Sequence, residues 1–296
     1  MSAESPRLFC FGLGYSATHL ARRLMAQRWS VAGTCQSEEK RRDLAALGIE
    51  AHLFDRERPL ADAAGVLAGA THLLSSVPPD GAGDPVLDTL RPVLVSAAGW
   101  RWAGYLSTTG VYGDTGGAVI DEGAPSAPTS ERGRRRVAAE SAWLALHHGH
   151  GVPVHIFRLA GIYGPGRSAL DRVREGTAQR VIKPGHAFGR IHVEDIAHVL
   201  MASMAKPDPG AVYNVCDDEP AAPAEVIAFA CQLLGVPLPP PVAFAEARKT
   251  MSPMALSFWR DNRRVDNGRI KRDLGVRLAY PTYREGLAAI LSGEGL

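Results

Sequence analysis

The stretch "PTSERGRRRVAAE", residues 128–140, sets four arginines, Arg132, Arg134, Arg135 and Arg136, at the start of a segment that reads as a helix. A guanidinium stays protonated at any working pH, so it can bind an anion or steady negative charge but cannot relay a proton. Basic charge near a helix N-terminus opposes the macrodipole, which favours an anionic partner there. A solvated basic face is the other reading of the same residues. Side chains able to carry a proton are Tyr112 in "VYG", Tyr163 in "IYG", His186 in "KPGHAFGR" and His192. Each also has a structural reading: the tyrosines pack in turns, and His192 with Asp195 precedes or caps the next helix.

A second constellation lies near the N-terminus. Gly12, Gly14 and Ala17 stand in the spacing G-x-G-x-x-A, with Tyr15 and Ser16 inside the turn. The apolar run "RLFCF" (7–11) precedes them, and a helical stretch with Ala17, Leu20, Ala21 and Leu24 on one face follows. Glycines permit the tight turn and let backbone amides approach a pyrophosphate at a helix N-terminus, while the small third residue lets helix and strand pack closely. The spacing predicts dinucleotide binding. At the end of the second strand an NAD site usually carries an acid for the ribose 2′-hydroxyl; this chain has "GTCQSEEKRR". Gln36, Ser37 and Lys40, with Arg41 and Arg42 beyond, suit the 2′-phosphate of NADP, although Glu38 and Glu39 share the loop. The expected cofactor is NADP, with NAD the alternative.

The elements that must position these residues follow from periodicity. Apolar runs at 7–11, 30–34, 49–54, 71–77, 103–109 and 153–159 alternate with amphipathic stretches. That alternation implies βαβ units: an α/β, Rossmann-like doubly wound parallel sheet, with a smaller C-terminal substrate lobe. Residues 1–165 form the expected NAD(P)-binding domain, with returning segments near 189–215 and 261–275; residues 166–296 are mainly the substrate lobe. "HVEDIAHVLMASMA" (192–205) reads as a helix and "AVYNV" (211–215) as a strand. The Pro-rich "GVPLPPPVAF" (235–244) reads as linker or irregular structure.

Composition bounds the rest. The 296 residues are 46% hydrophobic and 22% charged, with 33 basic against 31 acidic residues spread along the chain. This balance gives no case for nucleic acid or membrane, and a small anionic ligand fits better. Cys10, Cys35, Cys216 and Cys231 lack the spacing of a zinc site or redox dithiol and read as buried thiols, and the ten histidines show no metal-ligand pattern, so no metal is expected. No 18-residue apolar run occurs and the first strand begins by residue 7, so the cytoplasm is the expected location.

The chain resembles the extended short-chain dehydrogenase/reductase superfamily, the NAD-dependent epimerase/dehydratase group. Besides the glycine turn, the resemblance rests on "YLSTTGVYGD" (105–114), "DEGAPSAPTSERGRRRVAAE" (121–140), "FRLAGIYGPGR" (157–167) and "GRIHVEDIAHVL" (189–200), in the family's order. It implies that Thr108, with Ser107 before it, orients the substrate oxygen. It also implies that Asp55 meets the adenine and that Ser75, Ser76 and Val77 cover the cofactor. The family's catalytic Tyr and Lys positions fall on Arg132 and Arg136, so the usual proton-carrying dyad is absent and the chain looks like an atypical branch. Arg136, Arg158 and Arg167 join Arg132 as candidate anion contacts. The resemblance further implies a homodimer through helices at about 84–98 and 131–148, with apolar surface from Val137, Trp143, Leu144 and Leu146. The functional expectation is an oxidoreductase or epimerase/dehydratase-like enzyme, the alternative a non-catalytic dinucleotide sensor.

Overall fold

A computed structural model describes residues 6–97 and 99–293. The chain divides into two compact units: residues 1–108, 134–158 and 197–213 form the first, and residues 109–133, 159–196 and 214–296 the second. Compactness thus groups residues 109–133, 159–165 and 261–275 with the second unit.

The first unit is built on a seven-stranded sheet. Its strands include β1 (Arg7–Phe11), β2 (Ser30–Cys35), β3 (Glu50–Leu53), β4 (His72–Ser75) and β5 (Trp102–Thr108). The spatial order is Val212–Val215, Val154–Leu159, β5, β4, β1, β2, β3. β1 pairs in parallel with both β2 and β4, and β2 with β3 and β4 with β5 likewise. Parallel neighbours need crossovers, and these are α1 (Tyr15–Ala26), α2 (Glu38–Ala46), α3 (Ala63–Leu67), α4 (Pro85–Ser96) and α5 (Glu131–His150). Leu8, Cys10 and Leu74 alternate with Phe9, Phe11 and Leu73, and all six are fully buried. Successive strand residues face opposite ways, so both faces of this sheet are covered. On one face Phe9, Phe11 and Leu73 pack with Leu90 of α4 and Trp143 and Leu146 of α5.

The strand order matters for function. The chain steps outward from β1 through β2 to β3, then returns to β4 on the other side of β1. At such a switch point the two connections leave in opposite directions and open a crevice at the carboxyl ends of the strands. The register Phe11↔Ser75 sets those ends level.

The second unit has its own core, in which Tyr163, Leu170, Ile227, Cys231, Tyr283 and Leu287 pack together. The Pro-rich segment is not wholly irregular. Pro241–Ala243 is a short strand lying parallel to Arg180–Ile182, a place proline tolerates because an edge strand leaves one side without a ladder. Among the described residues no helix is long and apolar enough to cross a membrane.

Candidate functional site

The turn after β1 shows why its glycines are needed. Gly12 has φ +83°, and a Cβ there would lie 2.9 Å from Ser76 Oγ, so a side chain would be both strained and crowded. Its amide donates to Thr34 Oγ1 at 2.9 Å, and the Ser76 hydroxyl donates to its carbonyl, tying the turn to β2 and to the loop after β4. Gly14 is different: a Cβ there would meet nothing within 4 Å. It is the N-cap of α1, and no side chain caps that helix. A helix start without a capping side chain, with open space at Gly14, makes a ready anion cradle.

That cradle belongs to a cavity of about 770 Å³. Gly12 and Gly14 line it, as do Gln36, Ser37 and Lys40 at the tip of β2, Asp55 after β3, and Ser76 and Val77 after β4. Four other residues expected at the cofactor do not line it. Ser16 and Ala17 are buried in α1, Ser75 is fully buried within β4, and Tyr15 is half-buried with its ring 4.9 Å from that of His19. The spacing argument marks the turn but cannot say which of its side chains face the helix's own packing.

The β2 end of the cavity carries the Lys40 ammonium, with the carboxylates of Asp55 and Glu57 also in the lining. Ser37 caps α2 by accepting from Lys40 N at 3.1 Å, while Arg41 is paired with Glu38 at 2.8 Å in solvent. The Lys40 ammonium has no partner among the described residues. Arg58, which sequence reasoning missed, donates to Gln36 O at 3.0 Å and to Asp55 at 2.9 Å. Asp55 is therefore engaged in its own turn, accepting also from the amides of Glu57 and Arg58 at 3.0 and 2.8 Å. Arg56 was missed too. It joins the loop after β3 to the loop after β4 by a two-pronged bond to Asp80, 2.7 and 2.9 Å, and lies 2.8 Å from Asp88. The Arg56 guanidinium holds the Asp80 carboxyl down to about 2. No local signal could have found this pair, since its members are separated by a strand and a helix.

The arginine-rich helix start resolves residue by residue. Arg132 is exposed; Arg136 is 8% exposed and turned onto β5, where it donates to Leu106 O at 2.5 Å and to the Tyr105 hydroxyl at 3.3 Å. Its Nε has no partner. Arg158, expected as an anion contact, already holds an anion: Glu140, bound through Nη2 at 2.8 Å and Nε at 3.2 Å, with both side chains buried. Ser107 donates to the same carboxylate at 2.5 Å. Thr108, the next residue along β5, is half-buried, and Arg167 is exposed.

In the second unit the expected proton carriers are mostly engaged. The Tyr112 hydroxyl donates to Asn214 at 2.8 Å, and that of Tyr163 to Thr282 O at 3.3 Å, while burial raises the Tyr163 pKa. Asp195 accepts from the amides of Ala279 and Tyr280 at 2.7 and 3.0 Å, and the His192 ring packs 4.1 Å from that of Tyr280. All four cysteines are buried and free.

A parallel sheet with a glycine cradle at its switch point defines a dinucleotide-binding class, and comparison narrows it: the chain belongs to the NAD-dependent epimerase/dehydratase family. The description "NAD dependent epimerase/dehydratase family" matches residues 91–216. The protein YeeZ of Escherichia coli is 30% identical over 280 residues, spanning 91% of this chain and 94% of its own. Among solved structures, a functionally unknown conserved protein from Silicibacter pomeroyi shares 51% identity with a TM-score of 0.90, covering 99% of this chain and 100% of its own. The UDP-glucuronic acid 4-epimerase of Bacillus cereus, solved with UDP-glucuronic acid and NAD, has a TM-score of 0.79 at 15% identity, over 97% of this chain and 98% of its own. The dTDP-glucose 4,6-dehydratase of Bacillus anthracis with NAD reaches 0.75 at 16%, over 97% and 96%. At such identities the last two speak to the fold alone.

Proposed function

We propose that the protein is an NAD(P)-dependent oxidoreductase or epimerase-like enzyme that prefers NADP and acts on a small molecule carrying an anionic group. The observation that carries this reading is the uncapped start of α1 under Gly14, open where a side chain would stand. The cradle fits a pyrophosphate, and Lys40 with the N-terminus of α2 suits a 2′-phosphate. Titration with NADPH, followed by nucleotide fluorescence, tests the reading; absence of saturable binding would overturn it.

The nicotinamide, when bound, supplies hydride exchange with a substrate carbon. The chain's own part is to orient and polarise. Thr108 would donate its hydroxyl to the reacting oxygen, a role that Ser107 cannot share because its hydroxyl is spent on Glu140. Arg136 cannot take a proton but places a fixed positive charge behind β5. With the hydroxyls of Tyr112 and Tyr163 already donated to protein acceptors, the proton exchanged with the substrate oxygen is left to water or a nearby histidine.

Those same observations favour a second reading, a dinucleotide sensor that keeps the fold without the chemistry. A panel of carbonyl compounds tested for oxidation of bound NADPH separates the two: turnover of any member supports the enzyme, and tight binding without turnover supports the sensor. As for assembly, we read α4 and α5 as a homodimer face. Trp143 and Leu146 are buried in the core of the first unit and Leu144 packs partly against it, leaving the half-buried Val137 and the outer part of Leu144 as apolar surface. Light scattering should give twice the 31.6 kDa chain mass; a monomer at high concentration counts against this.

A further inference from the structure

We propose that an ion-paired strap, Arg56 with Asp80 and Asp88, closes the rim of the first cavity and must open for a dinucleotide to enter or leave, so that Arg56 sets the rate of exchange. The proposal rests on the reading of that cavity as the cofactor site and goes beyond it, since it concerns passage and not recognition. Its ground is topology. β3 and β4 are not neighbours: β1 and β2 lie between them, so their ends stand about 14 Å apart at the usual strand spacing. Arg56, shortly after β3 ends at Leu53, nevertheless meets Asp80, shortly after β4 ends at Ser75. Both residues line the cavity together with the glycine turn and the β2 tip, which the intervening strands carry.

Around the rim the bonds form a closed circuit. The Ser76 hydroxyl donates to Gly12 O, and the Gly12 amide to Thr34 Oγ1 at 2.9 Å, which ties the loop after β4 to the glycine turn and that turn to β2. The Phe54 amide donates to Cys35 O at 2.9 Å and Arg58 to Gln36 O at 3.0 Å, which ties β2 to the loop after β3. Arg56 then reaches Asp80 at 2.7 and 2.9 Å and completes the circuit. The first four links each use a backbone atom and join neighbouring strands, so the sheet itself holds them. The last joins side chains across two strands and in partial solvent: those of Arg56, Asp80 and Asp88 are 30, 43 and 39% exposed. Exposed ion pairs hold weakly, so the strap is the link that yields first.

The local chain is built to close this link. Every nitrogen of the Arg56 guanidinium faces a carboxylate: Nε and Nη2 meet Asp80, and Nη1 lies 2.8 Å from Asp88. Asp80 is fixed from its own side, because its Oδ1 also accepts from the amides of Ala82 and Gly83 at 2.8 and 3.2 Å. Pro78 and Pro79 stiffen the arm that carries it. Gly83 lets that arm turn into α4: its φ is +143°, and a Cβ would lie 2.8 Å from Asp88 Oδ2. Two carboxylates share one guanidinium, so the strap carries net negative charge and offers phosphates no attraction, which fits a gate and not a ligand contact. Since Arg56 holds the Asp80 carboxyl down to about 2, the strap stays charged at neutral pH, and ionic strength sets its hold.

Stopped-flow fluorescence of NADPH with the whole chain tests this. A gate slows entry and exit alike, so Arg56→Gln should raise the association and dissociation rate constants together, each by about fivefold, and leave the dissociation constant within about twofold of the parent's. Asp80→Asn keeps an oxygen for the amides of Ala82 and Gly83 and should act in the same way with the loop intact. Arg56→Lys, which keeps the charge and loses the fork, should fall between parent and Arg56→Gln. At about 1 M salt, where exposed pairs are screened, the gap between parent and variants should close; melting temperatures show that each variant is folded. Unchanged rate constants in the folded variants would overturn the proposal, and so would a rise in dissociation alone, which would make Arg56 a ligand contact. NADPH binding with unaltered rates sinks the strap and leaves the cofactor reading standing, whereas a parent that binds no NADPH overturns both.

Discussion

The two cavities, one in each unit, carry their polar character by opposite means. In the first, the polarity is backbone: no side chain caps the start of α1, and the nearby arginine, Arg56, is neutralised by Asp80 and Asp88. In the second, of about 480 Å³, it is side chain: Arg180 and Arg264 line it without carboxylate partners among the described residues, and the uncapped start of the helix Pro223–Leu234 adds to them. A backbone cradle needs particular residues at particular spacing, because only glycine tolerates the φ of Gly12 beside Ser76. Side-chain polarity needs only charges brought together by folding. The same contrast appears in buried charge. Glu140 and Arg158 bind one another, whereas Asp217, 2% exposed, accepts no hydrogen bond of normal geometry at either carboxylate oxygen.

The buried charges give the largest expected effects. Arg158→Ala leaves Glu140 buried without its cation and should cost about 3–5 kcal/mol of stability, read by denaturant unfolding. A loss below about 1 kcal/mol would mean the pair is solvated and the contrast false. Asp217 should behave in the opposite sense. Burial pushes its carboxyl up to about 8, against the partial relief given by Arg190. The native state thus holds a proton that the unfolded chain has released above about pH 4, so the contribution is fully present below that pH and is lost as pH rises through about 8. Asp217→Asn should flatten the fall in melting temperature over that window and raise stability at its alkaline end; an unchanged profile would show that the parent carboxylate is already ionised.

Gly14→Asp comes next. The structure has room for the side chain, so the fold and melting temperature should survive while a carboxylate stands where the pyrophosphate would. A loss of about a hundredfold in NADPH affinity is expected, about 2.7 kcal/mol. Equal affinity in mutant and parent would move the cofactor elsewhere. Lys40→Ala, at the β2 end, should weaken NADPH by about tenfold and leave NADH unchanged. A parallel loss for both cofactors would remove the case for a 2′-phosphate contact there.

How much of this was legible depends on the range of the interaction. β1, the turn after it and α1 follow from residues 7–26, because strand period, glycine spacing and helical period are all local. The tip of β2 was legible for the same reason, and Gln36, Ser37 and Lys40 do line the cavity. Ser75 came from the resemblance, and an apolar run read as 71–77 does not fix where the strand ends: the side chain falls within β4, fully buried, and does not line the cavity. Arg136 was assigned by pattern, but a motif position does not fix where a long side chain turns, and here the Leu106 carbonyl takes it. Arg180 and Arg264 carried no signal at all, being 84 residues apart and brought into one cavity only by the second unit's fold.

The smallest effect concerns His186, which lines the second cavity and is 4% exposed, and sharpens the side-chain half of the contrast. If that cavity is positive through its arginines and helix terminus, its charge should not follow a histidine titration. Burial pushes the His186 pKa down to about 4, and the facing charges oppose one another: Lys183 and Arg263 lower it, Asp114 and Asp261 raise it. A group whose native pKa is depressed in this way stays neutral throughout the physiological range, holding one N–H to give and one nitrogen to receive. The carbon-bound protons of the ring, followed by NMR, report that state directly. Their shifts should stay flat between about pH 5.5 and 8, and His186→Asn identifies the signals by removing them. A titration with a midpoint near the ordinary histidine pKa, lost in His186→Asn, would show that the imidazole charges inside the cavity. The positive character would then belong to His186 as much as to Arg180 and Arg264, and the cavity would be a pH-dependent site instead of a permanently charged one.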